Sequence, residues 1–143
     1  MSGGHVATST ITIDAPASRV WDVITDPAAV KEFMFGADLV TDWTVGGPIL
    51  WRGEWEGKPY EDKGYILEVE PGQKLVHTHF SPLGGEDDVP ENYHTLTWTL
   101  EDRDGRTQLT LSQDKNTSEE AAEHSKGMWD RLVADVKKIT ERG

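Results

Sequence analysis

Residues 117–140 read TSEEAAEHSKGMWDRLVADVKKIT. Ala121, Ser125, Met128, Leu132, Val136 and Ile139 recur at helical spacing, and Ala122, Trp129 and Val133 widen that stripe. Thr117, with Glu120 three residues on, matches a capping box that satisfies the first free N–H groups. The pattern predicts a helix ending at about Thr140, roughly 35 Å long at 1.5 Å per residue. Gly127 inside it costs about 1 kcal/mol against alanine. It either permits close approach to a sheet or is tolerated without a role. A stripe this long needs a broad apolar surface to lie on.

The preceding chain supplies one. From Ala37 to Asp114 the pattern is strand after strand, near 38–44, 48–56, 60–70, 74–81, 93–102 and 107–114. The breaks are Gly46-Gly47-Pro48, Gly57-Lys58-Pro59, Pro71-Gly72, a long Ser81–Asn92 loop and Asp104-Gly105, all glycine, proline or Asx turn chemistry. Further upstream, Val6–Ile13 is a first strand. Asp14-Ala15-Pro16 and Asp26-Pro27 each open a short helix, and Phe35-Gly36 closes the second. The order is β-αα-β6-α. Consecutive antiparallel strands have one face to bury, and the last helix offers the longest stripe to cover it. This is an α+β chain of one domain, residues 1–143.

The totals narrow the function. A net charge of −12 over 143 residues argues against nucleic acid and against anionic membrane surfaces, where Lys and Arg provide the affinity. No cysteine is present, which excludes disulfides, thiolate metal sites and a cysteine nucleophile. The start, MSGGHVATST, lacks the basic and apolar regions of a signal peptide, and no apolar run spans a bilayer; a cytoplasmic protein is expected. There is no G-x-S-x-G elbow, P-loop or G-x-G-x-x-G. The acidic stretch Gly85–Asn92 lacks EF-hand spacing and reads as a solvated loop at a cavity rim.

Both the order and several local words resemble a known group. They are Ile13-Asp14-Ala15-Pro16 followed by Val20-Trp21, then Phe33-Met34-Phe35-Gly36, Val45-Gly46-Gly47-Pro48 and Gly64–Pro71. Leu75 with Thr78, Asn92-Tyr93-His94, Thr107–Leu111 and Ser125–Trp129 complete the series. The chain resembles the helix-grip START/Bet v 1-like (SRPBCC) superfamily. Its closest likeness there is to bacterial proteins related to the C-terminal domain of the Hsp90 ATPase activator. That resemblance implies a curved antiparallel sheet of about seven strands wrapped around the C-terminal helix, with a cavity between them. It does not imply stimulation of Hsp90.

Period-two alternation then names the inward side chains. Trp51, Gly53 and Trp55 share a face on one strand, as do Gly64, Ile66 and Glu68 on the next. Leu96, Trp98 and Leu100 share a face, and so do Leu109 and Leu111. In Leu75–Phe80 either face fits; the resemblance anchors Leu75 inward, which turns His77 and His79 inward with it. If residues 74–81 pair with 93–102, His79 falls near His94. The candidate ligand-binding set is Trp51, Trp55, Ile66, Glu68, His77, His79, His94, Leu96, Trp98, Leu111, Met128, Trp129 and Leu132.

Each candidate carries two readings. The indoles are plain core or a cavity wall, with Gly53 leaving a gap between two of them. The histidines are satisfied polar groups, ligand contacts or, through H-x-H, metal ligands; the sequence does not require a metal or cofactor. Glu68 is a buried acid-base group or is paired at a strand end. The leading expectation is binding of a small, largely hydrophobic molecule. One alternative is an enzyme of cyclase, dehydratase or hydrolase type using the same cavity, and another is a chaperone-associated interaction module. A homodimer is compatible with all three.

Overall fold

The computed structural model describes residues 5–34, 36–81 and 87–142, and only the backbone of Trp55. The elements are β1 (His5–Ile13), α1 (Ala17–Ile24), α2 (Pro27–Phe33), β2 (Asp38–Val40), β3 (Pro48–Trp55), β4 (Lys58–Glu70), β5 (Lys74–His79), β6 (His94–Arg103), β7 (Arg106–Asn116) and α3 (Glu119–Arg142). The seven strands form an antiparallel sheet in the order β1-β7-β6-β5-β4-β3-β2. The α+β order is the one expected from the pattern, and the helix-grip fold is the one the resemblance implied.

The hairpins follow from their turns. Glu56 and Gly57 have φ of 52° and 78°, and Asp104 and Gly105 have 57° and 87°. Two consecutive positive φ values make type I′ turns, whose twist matches that of the flanking strands. The second expected strand is shorter than its pattern, three residues at the sheet edge. Beyond Val40, Thr41 Oγ1 accepts the Trp43 N–H at 3.1 Å, and Asp42 Oδ1 accepts the Thr44 N–H at 3.0 Å. These local turns compete with the ladder and end it. Ser118, and not Thr117, caps α3, its Oγ accepting the Ala121 N–H at 3.0 Å.

On α3 the buried side chains are Trp129, Leu132, Val133, Val136 and Thr140. All but Thr140 belong to the expected stripe, from which Met128 departs, standing 39% exposed. That edge of the stripe is free because of where the helix lies: it packs chiefly on β1 and β7, with α1 and α2 alongside. Ser9 of β1 ties it down, donating to Asp130 at 2.5 Å. The far half of the sheet's inner face is covered by α2 and the chain after it.

Candidate functional site

Under that second cover lies an apolar pocket. The sheet contributes Ile49, Trp51, Leu75, His77, His79, Leu96 and Trp98. The cover contributes Ile24, Val30, Phe33, Met34, Leu39 and Trp43, and α3 adds Trp129 alone. The pocket therefore sits between the sheet and α2, where a cavity between the sheet and the last helix was expected. It is tight, about 20 Å³, room for roughly one water molecule.

Two histidines supply its polar atoms besides the indole N–H groups, and they differ. His77 is 3% exposed. Its Nδ1–H donates to the Thr78 carbonyl at 3.0 Å, and its Nε2 accepts from Trp98 Nε1–H at 3.0 Å. Burial pushes its pKa down to about 4, so the ring is neutral with both nitrogens engaged. Gly64 makes this possible. A Cβ there would lie 1.8 Å from the Thr78 carbonyl oxygen, so only glycine lets that carbonyl lean in.

His79 belongs to a pair. Its Nε2–H donates to Asp62 Oδ2 at 3.0 Å, both side chains 17% exposed. Trp51 packs against both imidazoles, with ring centroids 5.2 Å from His77 and 5.1 Å from His79. Asp62 is the cross-strand partner of Trp51, and Tyr60 that of Gly53. The gap at Gly53 is filled by Tyr60, since a Cβ there would meet the phenol at 2.7–2.9 Å. Burial, and then the negative charge of Asp62, raise the Tyr60 pKa.

Of the sequence candidates, Trp51, His77, His79, Leu96, Trp98 and Trp129 come together around the pocket. Ile66, Leu111 and Leu132 are fully buried behind it, in the solid core. Glu68 is a correction. A β-bulge between Ile66 and Glu68 leaves Leu67 unpaired and reverses the alternation, so that Val69 packs on the core. Glu68 faces solvent and reaches Lys74 at 3.7 Å. Met128 is corrected likewise, lying outside the pocket on the exposed side of α3. The Trp55 side chain lies outside the described residues.

His94 pairs with His79 across the ladder, as expected, yet its ring belongs elsewhere. It lines a polar cleft of about 420 Å³ with Gln113, Lys115, Asn116, Thr117 and Ser125. The walls of that cleft bond one another: Trp129 Nε1–H to Gln113, Ser125 to Asn116, and His94 Nδ1–H to the Asp114 carbonyl. Nor does the acidic loop rim the apolar pocket in its described part. Asp88 and Pro90 lie with Tyr65 and Thr78 on the outer face; residues 82–86 are outside the described residues. Sequence reasoning missed Asp62, whose alternation with Gly64 and Ile66 was the available signal, and Phe33, Met34, Leu39 and Trp43 in the cover.

A helix-grip sheet closed over an aromatic pocket defines a class, and the comparisons place the chain within it. The family model for activator of Hsp90 ATPase homolog 1-like proteins matches residues 14–141, and the chain belongs to that family. The solution structure of ChR145 from Cytophaga hutchinsonii is 41% identical, covering 96% of this chain and 94% of that one, with a TM-score of 0.85. CalU16 from Micromonospora echinospora shares the fold at 18% identity and a TM-score of 0.71, covering 96% of this chain and 84% of its own. Ara h 8.0201 does so at 12% identity and a TM-score of 0.76, covering 99% and 100%. No curated protein matches significantly.

Proposed function

We propose that the protein binds a small, largely apolar molecule in the pocket between the sheet and α2. The observation that carries this is the lining, in which aliphatic and aromatic side chains from seven elements converge and only two polar residues intrude. Ligand pockets are typically hundreds of cubic ångströms in volume. Binding is therefore coupled to displacement of the cover. The segment that moves is α2 through Trp43, which ends in a three-residue edge strand. Trp43 itself holds a φ of 63°, a left-handed conformation that is costly for a bulky residue and persists where surroundings impose it. Releasing that strain favours opening. A cytoplasmic location belongs to the same reading.

The enzymatic alternative has less support. Of its proton-moving candidates, Glu68 faces solvent, His94 faces another cleft and both His77 nitrogens are engaged, which leaves His79, paired with Asp62, as the one in the pocket, without a second titratable group across it. The test is tryptophan emission during titration with a panel of spectroscopically transparent apolar molecules. A saturable shift is expected, weakened at least about tenfold in Trp43→Ala and altered in amplitude in Trp51→Phe, for truncating a large aromatic contact costs about 2 kcal/mol or more. Silence across the panel, or affinities untouched in both variants, would sink the proposal.

A further inference from the structure

Given that cavity reading, the geometry points to a ligand of narrower chemistry: we infer that Asp62 and His79 anchor the hydroxyl of an otherwise apolar alcohol or phenol. Within the pocket the His77 ring has no capacity left, its donor given to Thr78 and its acceptor taken by Trp98. His79 differs. Asp62 takes its Nε2–H, which leaves the Nδ1 lone pair of the neutral ring as an acceptor without a partner among the described residues. A carboxylate behind an imidazole fixes the tautomer and the ring plane, as it does for catalytic and metal-bound histidines. Trp51 holds the ring from the other side.

A second, independent observation lies one atom away. Asp62 Oδ1 is buried and has no hydrogen-bond partner among the described residues. Buried acceptors are nearly always paired, because leaving one unpaired costs about 1–3 kcal/mol. His79 thus presents an unspent acceptor in the lining of the apolar pocket, and its partner Asp62 carries a second, buried one. A hydroxyl, with one proton to donate, satisfies one of the two, and an ether or a hydrocarbon of the same shape satisfies neither. Among the described residues, no three His, Asp or Glu side chains converge as a metal-ligand set. The selectivity is set by the polar group, the affinity by the apolar body.

The experiment compares 1-octanol with 1-methoxyoctane, both transparent where indoles absorb, by tryptophan emission of the intact chain at pH 8.5. The native protein is expected to hold the alcohol about fivefold tighter, the net worth of one hydrogen bond. In His79→Phe that ratio falls to about one, whatever happens to the two affinities together, since the altered wall is common to both probes and only the alcohol loses a polar contact. Asp62→Ala lowers the ratio in the same direction because the ring loses its orientation. Equal affinities in the native protein, or a preference that survives His79→Phe, overturn the anchor and leave the cavity reading intact. No saturable response of the native protein to either probe overturns both. The native comparison requires no variant, so a folding defect in Asp62→Ala does not blunt it.

Discussion

His77 and His79 sit two residues apart on one strand and serve opposite ends. The first is a structural group. Its pKa of about 4 lies below the ordinary imidazole value of 6.5, because burial disfavours the charged ring. The sign follows from proton counting. Between those values the unfolded chain binds the proton and the folded one does not, so stability falls as pH drops through that window. His77 thus removes about 2 kcal/mol between pH 7.5 and pH 5. Urea unfolding at the two pH values checks this against His77→Gln, which can still donate to Thr78 and accept from Trp98. The native protein should lose about 2 kcal/mol more than the variant over that interval; parallel losses would show that the ring is not held neutral.

At the scale of the element, α3 shows how an apolar stripe and a packed face differ. The stripe read from spacing held Trp129, Leu132, Val133 and Val136, which do pack, together with Met128, which does not. A 3.6-residue period admits a face of this width. Which of its edges is buried depends on the strands the helix lies against, here β1 and β7. Gly127 falls on the exposed side, and a Cβ built there meets nothing within 4 Å. Of the two readings of this glycine, close approach to the sheet is therefore removed. Gly127→Ala should raise stability by about 1 kcal/mol, seen as a higher thermal midpoint. A lower midpoint would mean that the helix is bent or shifted at that point.

Over the whole molecule the dominant field is its own charge. A net −12 over 143 residues resists compaction, and the nine Lys or Arg contacts to carboxylates among the described residues are mostly exposed. Raising ionic strength from 0.01 to 0.15 M shortens the screening length from about 30 to about 8 Å. The thermal midpoint at pH 7.5 should rise with sodium chloride over that range, as repulsion is screened. A falling midpoint would show that local ion pairs, such as Arg142–Glu32, in which Nη2 donates to both carboxylate oxygens, outweigh the net field.

Much of this molecule was legible in the residues alone. Alternation and turn chemistry placed seven strands and three helices because those signals are local: a side chain's face is fixed by its neighbours two or four positions away. The inward turn of Trp51 and Trp98 was readable for the same reason, whereas either face of Leu75–Phe80 fitted the alternation and the family resemblance alone turned His77 and His79 inward. Glu68 was misplaced because the bulge at Leu67 arises from pairing with β5, and nothing in β4 alone announces it. Asp62 joins His79, and α2 with Trp43 roofs the pocket, across 17 residues in one case and a change of layer in the other. Such contacts depend on how strands register and where helices settle. Local pattern sets what each side chain faces, and only the assembled packing sets what it meets.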